Sequence, residues 1–240
     1  KAKERIEKSD KLRSEFLARM SHEIRTPLNV IIGNASMIKE ELINHLDEDT
    51  SAMFDMMRDD GKRLMRTVQM ILDASLIETG TLNIQNKKLD FHKKIMEELI
   101  IQYKKDAEAK QVELNYSNLS DNTEVTGDVY ILSQSVDQLL NNAVKFTNKG
   151  RIDIKLYNLQ EGNLCFDVTD TGIGISEEFR NEMFNWFSTE EKGYSRNYEG
   201  NGLGLALAKR LCDLNNIRIE VKSEKGTGST FRLIFPPFEQ

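Results

Sequence analysis

The sequence predicts a multidomain protein: an all-α helical hairpin that dimerises into a four-helix bundle, followed by an α+β two-layer sandwich. Three observations carry this. Apolar residues recur in steps of three and four from Leu12 to Ile71, the period of a helical stripe. A polar stretch, Asn44 to Ser51, breaks that run in two. From about Asp90 onward, short alternating segments mix with helical ones, the pattern of one sheet covered by helices.

Phe16, Met20, Ile24, Leu28, Ile31, Ala35, Ile38 and Leu42 define the first helix, and Phe54, Met57, Gly61, Leu64, Val68 and Ile71 its antiparallel partner. Two helices cannot cover both stripes alone, so a second copy completes the bundle and the chain is expected to be a homodimer. Glu78-Thr79-Gly80 is a helix stop. Beyond it, strands are expected at Val112/Leu114/Tyr116, Ile152/Ile154/Leu156, Leu164/Phe166/Val168, Ile217/Ile219/Val221 and Phe231/Leu233/Phe235. Helices are expected around 92–109, 129–146, 176–184 and 203–214.

The 240 residues suffice for two domains with separate cores. A hydrophobic content of 39% with 30% charged residues and three prolines fits a well-folded, largely helical protein. The net charge of −6, with basic residues interspersed among acids, gives no footprint for nucleic acid. Cys165 and Cys212 lie far apart without CxxC or histidine company, which argues against zinc or a disulfide framework and for core packing. No apolar run reaches the ~18 residues of a membrane span, so no membrane insertion is expected. The start at Lys1 reads as a fragment of something longer.

The chemistry concentrates first in Ser21-His22-Glu23-Ile24-Arg25-Thr26, followed by Pro27-Leu28-Asn29. His22 is two positions from both Met20 and Ile24, about 200° around the helix from each, so it is expected to point away from the buried stripe. Thr26, at i+4, shares its face. Pro27 lacks an N–H and crowds the carbonyl of Glu23, so a local bend is expected there. A single exposed histidine in a polar run is ordinary, and only company makes it a nucleophile.

That company is glycine-rich. Asp170-Thr171-Gly172-Ile173-Gly174-Ile175 follows a strand, Gly200-Asn201-Gly202-Leu203-Gly204-Leu205 opens a helix, and Gly226-Thr227-Gly228-Ser229-Thr230-Phe231 precedes the last strand. Each alone is a weak signal that a tight turn explains. Together they let backbone approach a ligand and present free N–H groups to phosphate. Asn141-Asn142-Ala143-Val144-Lys145-Phe146-Thr147 ends a helix with amides that can ligate Mg²⁺ and a lysine for phosphate. Phe184 and Phe187 read as core anchors on either side of a mobile stretch.

In this order the motifs resemble those of the sensor histidine kinases of two-component systems, over nearly the whole chain. Ser21 to Asn29 is similar to the H-box, Asn142 to Thr147 to the N-box, and Phe184 to Phe187 to the F-box. The three glycine segments are similar to the three glycine boxes. The resemblance implies a coiled-coil-like linker helix over 1–19, a dimerisation and phosphotransfer hairpin over 12–80, and a GHKL-type ATP-binding domain over 88–240. It implies His22 as phosphoacceptor, Glu23 as its proton partner and Thr26 as the phosphatase position. It also implies Asn142, Lys145, Asp170, Gly172, Gly174, Phe187, Arg196, Gly200, Gly202, Gly204 and Thr230 at ATP. Asn142 and Gln138 are the implied Mg²⁺ ligands, although the family usually carries asparagine where Gln138 stands. Threonine is frequent where Asn201 stands, and no basic residue directly follows Phe187. The implied partner is a response-regulator receiver domain, with an upstream sensor absent from this chain and a cytoplasmic location, as the cytoplasmic portion of a membrane-anchored sensor. Competing readings are a GHKL ATPase of another class, which needs a carboxylate base such as Asp137 or Asp128, and a degenerate or phosphatase-biased module.

Overall fold

The computed structural model describes residues 2–43, 45–159, 162–190 and 200–237, with the side chains of 2–18, Ser21 and His22 outside the described set. The chain divides into two compact units, Lys1–Asn83 and Ile84–Gln240.

The first unit is two helices, α1 (Ala2–Glu41) and α2 (Glu48–Glu78). Pro27 lies inside α1, and the helix continues beyond it to Glu41. The loop is shorter than the polar stretch suggested. Asp47 caps α2, its carboxylate accepting the N–H of Thr50 at 2.7 Å, and Glu48 and Asp49 occupy the first turn. Acidic residues favour the positive end of a helix, so this polar run starts a helix as well as ending a loop. Gly61 lets the helices meet: a Cβ there would lie 2.6 Å from the Ile32 side chain. Lys39 reaches Asp55 at 2.7 Å, and Arg25 donates to Gln69. Ala35 is the one buried apolar side chain among the described residues of this unit, while Ile31, Ile38, Met57 and Leu64 are exposed. Leu28, Ile32, Ala35, Met57 and Leu64 line an open apolar groove of about 320 Å³.

The second unit is built on a five-stranded sheet in the order β2 (Glu113–Asn118), β4 (Arg151–Asn158), β5 (Leu164–Asp170), β7 (Gly228–Ile234), β6 (Arg218–Glu224). Strands β2 and β4 are parallel and the other pairs antiparallel. A parallel pair needs a crossover, and α4 (Val129–Phe146) supplies it. Helices α3 (Glu97–Ala109) and α6 (Gly204–Leu214) complete the helical layer. Period-two alternation sends Ile152, Ile154, Leu156, Phe166, Val168, Phe231 and Leu233 into one core with those helices. Phe91 meets Phe235 edge-to-face at 4.8 Å between ring centres. Cys165 and Cys212 are both buried thiols, and burial pushes the Cys212 pKa up to about 12.

Three features depart from the sequence reading. A separate two-stranded sheet pairs β1 (Lys87–Asp90) with β3 (Glu124–Gly127). Each strand is four residues long with one apolar position, Leu89 or Val125, too little alternation to register. The stretch expected to be helical over 92–109 opens with a π-helical turn, His92–Met96. The helix expected at 176–184 is only α5 (Glu177–Arg180), capped by Ser176. After it the chain turns on three-residue bonds, Glu182 N–H to Phe179 and Asn185 N–H to Glu182, both 2.9 Å. Asn181 and Asn185 are weak helix formers and suit such turns.

Candidate functional site

The C-terminal ends of α4 and β5 and the turns before α6 and β7 converge in the second unit. Asp170 ends β5 and is 7% exposed. Its carboxylate accepts the N–H of Gly172 at 2.8 Å and a backbone bond from Ser229. Burial nevertheless outweighs these bonds and raises its pKa. A desolvated carboxylate held by main-chain donors is suited to accepting a hydrogen bond from a ligand.

The glycines are where a side chain would not fit. A Cβ on Gly172 would lie 2.5 Å from the Phe146 carbonyl oxygen, and one on Gly174, at φ 62°, 1.9 Å from the Glu224 carbonyl oxygen. The Ile173 N–H donates to Phe146 at 3.3 Å and Gly226 N–H to Ile173 at 2.8 Å. The first glycine turn is therefore clasped between the end of α4 and the β6–β7 turn. Gly202, at φ 66°, packs its Cα against Phe187 so closely that a Cβ would lie 2.5 Å from the Phe187 carbonyl carbon. Asn201 accepts the Leu203 N–H at 3.2 Å, a cap of the kind a threonine could also make. Helix α6 then begins at Gly204, and its N-cap Leu203 offers no side-chain cap, leaving that terminus suited to an anion.

Lys145 is near this segment: a Cβ on Gly200 would come 2.8 Å from its Nζ. Asn142 is half-buried on α4. Gln138, one turn earlier and 5% exposed, turns its Oε1 toward Gly204, 3.0 Å from where a Cβ would stand. Among the described residues no group of three His, Cys, Asp or Glu could hold a metal ion. Amide oxygens beside phosphate oxygens are the donor set that Mg²⁺ accepts without a carboxylate cage, so Asn142 and Gln138 fit that ion.

Two expectations are corrected. Phe187 is no core anchor: it is 72% exposed with φ 62°, a left-handed conformation that turns the ring outward, and Met183 is buried instead. Thr230 faces away from Asp170. It pairs with Thr169 at 3.0 Å on the sheet face that carries Asp167 and Arg232, because alternate residues of a strand point to opposite faces. Ser229 meets Asp170, and its hydroxyl is 2.9 Å from that of Ser223, which also accepts the Ile175 N–H at 2.8 Å. Counting by twos from the core residue Phe231 would have found Ser229. Ser223 had no such signal, since its role follows from strand pairing.

Asp128 and Asp137, the alternative carboxylate bases, are otherwise engaged. Asp128 caps α4 at Tyr130 and Ile131, roughly 21 Å along the helix from Asn142. Asp137 accepts the Tyr103 hydroxyl at 2.7 Å. In the first unit Glu23 and Thr26 are exposed on α1. The side chain of His22, and Arg196, lie outside the described residues.

Glycine turns around a buried aspartate, a lysine and amides at a helix end, on one chain with a histidine-bearing helical hairpin, define a nucleotide-binding phosphotransfer protein. Residues 12–80 match the His Kinase A (phospho-acceptor) domain, and residues 127–240 the Histidine kinase-, DNA gyrase B-, and HSP90-like ATPase family. The Autoinducer 2 sensor kinase/phosphatase LuxQ of Vibrio parahaemolyticus is 38% identical over 98% of this chain, which spans 28% of that protein. Hybrid signal transduction histidine kinase B of Dictyostelium discoideum is 35% identical over 92% of this chain and 11% of its own length. The structure of full-length ShkA in complex with AMPPNP superposes with a TM-score of 0.69 at 26% identity, over 92% of this chain and 45% of that one. The chain belongs to the histidine kinases of two-component signalling, as their phosphoacceptor and ATP-binding catalytic core. No helix among the described residues is long and apolar enough to cross a membrane.

Proposed function

We propose that this chain is an autokinase that transfers the γ-phosphoryl group of ATP to His22 and then to an aspartate of a response-regulator receiver domain. The observation that carries the reading is the Asp170 carboxylate, buried and held by main-chain N–H groups within three glycine turns, on one chain with the His22 segment. Asp170 accepts the adenine amino group. Lys145 and the α6 terminus neutralise the phosphates, and Arg196 adds charge from beyond Phe187. Mg²⁺, held by Asn142 and Gln138, offsets phosphate charge when bound.

The unprotonated ring nitrogen of His22 attacks phosphorus, a P–N bond forms as the bond to the ADP oxygen breaks, and Glu23 takes the proton from the other ring nitrogen. Neutral imidazole is nucleophilic at cellular pH, so positioning and charge neutralisation carry the catalysis. Thr26 orients water against the regulator's phosphoaspartate, a phosphatase activity that accords with the name of the Vibrio relatives. A second copy covers the exposed Ile31, Met57 and Leu64 of the hairpin, giving the homodimer. The unit works in the cytoplasm, downstream of a sensor domain on the longer protein.

The test is incubation with γ-labelled ATP and Mg²⁺, beside the His22→Gln variant. Acid-labile, alkali-stable label lost in the variant is the expected result. No label despite ATP binding would replace the reading with a degenerate or phosphatase-biased module.

A further inference from the structure

A helix leaves its last carbonyls without helical partners, and three at the end of α4, those of Val144, Lys145 and Phe146, are met by groups from outside it. The last helical bond runs from the Thr147 N–H to Ala143 O at 3.2 Å, and Phe146 O accepts the Ile173 N–H of the first glycine turn at 3.3 Å. The two between them, Val144 O and Lys145 O, accept the Nζ of Lys110, at 2.7 and 3.1 Å. Lys110 comes from a different element. It is the C-cap of α3, where its own N–H bonds to Ala107 at 3.0 Å and Gln111 turns into left-handed backbone at φ 58°. The ammonium thus stands at the negative end of α4, on a side chain rooted at the C-cap of α3.

What it bonds is the run of peptides that sets the nucleotide groups. The carbonyl of Lys145 belongs to the residue whose Nζ borders Gly200, and the next carbonyl, Phe146 O, carries the Asp170–Gly174 turn. We infer that Lys110 is a positioning residue for ATP, holding the 144–146 peptides so that Lys145 and the Asp170 turn meet the nucleotide together. It touches no nucleotide itself. Partial burial lowers its pKa, since the carbonyls replace only part of its hydration.

This rests on the proposed nucleotide site, and its test reads nucleotide binding apart from His22 chemistry. Lys110→Met keeps the stem and removes the ammonium, while Lys110→Arg restores cationic donors. AMPPNP with Mg²⁺ is titrated by calorimetry against the full chain and both variants, and KM for ATP and kcat are taken from labelling. Lys110→Met is expected to weaken AMPPNP five- to tenfold and raise KM alike, with kcat changed less than twofold, and Lys110→Arg to recover most of the loss. Unchanged AMPPNP affinity in a folded Lys110→Met, or no recovery in Lys110→Arg, overturns the inference. Should Lys110→Met not fold, Lys110→Gln takes its place under the same criteria. Absence of His22 label in the wild type would overturn the function instead, and leaves the AMPPNP comparison as the decisive reading here.

Discussion

Phe187 and Gly202 hold each other in left-handed backbone: the Phe187 N–H donates to the Gly202 carbonyl at 3.0 Å, with φ 62° and 66° at the two residues. A bulky residue at positive φ is uncommon and costs about 1–3 kcal/mol. The contact therefore joins a strained turn to the glycine segment that opens α6.

Gly202→Ala tests that joint. The methyl would lie 2.5 Å from the Phe187 carbonyl carbon, in a backbone conformation that costs an L-residue about 1–2 kcal/mol more than glycine. Backbone cannot yield as a side-chain tip can, so the two segments separate. A fluorescent ATP analogue is expected to bind at least about tenfold more weakly, at about 1.4 kcal/mol per factor of ten, with far-UV dichroism unchanged.

Asp170 gives a signed pH dependence. Burial raises its pKa from the ordinary 3.8, so between those two values the native state holds more protons than the unfolded chain. Stability then falls as pH rises through that window, and the loss is complete above the folded-state pKa. Asp170→Asn removes this contribution. Urea unfolding across acid to neutral pH is expected to show the variant gaining on the wild type as pH rises. On the proposed role of Asp170 at adenine the same variant loses a charged acceptor, worth about 1.5–3 kcal/mol, and nucleotide affinity is expected to fall accordingly. A constant offset between the two unfolding curves at all pH values would contradict the linkage.

The sheet was legible in the sequence wherever strands alternate against a core. The five strands of the large sheet correspond to five apolar alternations, such as Ile152/Ile154/Leu156 in β4. The β1–β3 pair was not legible, because each strand carries one apolar residue and is specified by its partner. The glycine turns were visible as motifs, but what they pack against was not. Gly174 is needed because Glu224 lies beside it, a neighbour fifty residues away in sequence. Thr230 shows the limit of motif reading: the motif marks a segment, and strand phase decides that Ser229 faces the site.

Arg232 tests whether the open sheet face matters to stability alone. Its guanidinium grips Asp167 at 2.8 and 2.7 Å, and Tyr157 donates to the same carboxylate at 3.2 Å. Asp167 is 8% exposed, so removing the arginine strands a desolvated charge, whereas a surface pair would be worth little. Arg232→Leu is expected to lose about 2 kcal/mol in urea unfolding, below the ~3–5 kcal/mol of a deeply buried pair, because the arginine side chain is 32% exposed. Nucleotide affinity is expected to be unchanged, since this face is opposite the one Asp170 uses.

Gly61 in α2 sets two effects of opposite sign against each other. Alanine in a helix interior gains about 1 kcal/mol over glycine, yet its methyl would stand 2.6 Å from Cγ1 and Cδ1 of Ile32 on α1. Overpacking of this kind costs about 1–3 kcal/mol, and Cγ1 is too near the backbone to swing clear by rotation of the tip. The clash wins: Gly61→Ala is expected to destabilise the hairpin by about 1 kcal/mol. Ile32→Ala alone opens a gap, and with Gly61→Ala the new methyl occupies part of it. The double variant is therefore expected to be more stable than the sum of the singles predicts, by at least about 1 kcal/mol of coupling. Thermal unfolding of the four proteins in one cycle measures that term, and additivity would show that Gly61 is not where the two helices touch.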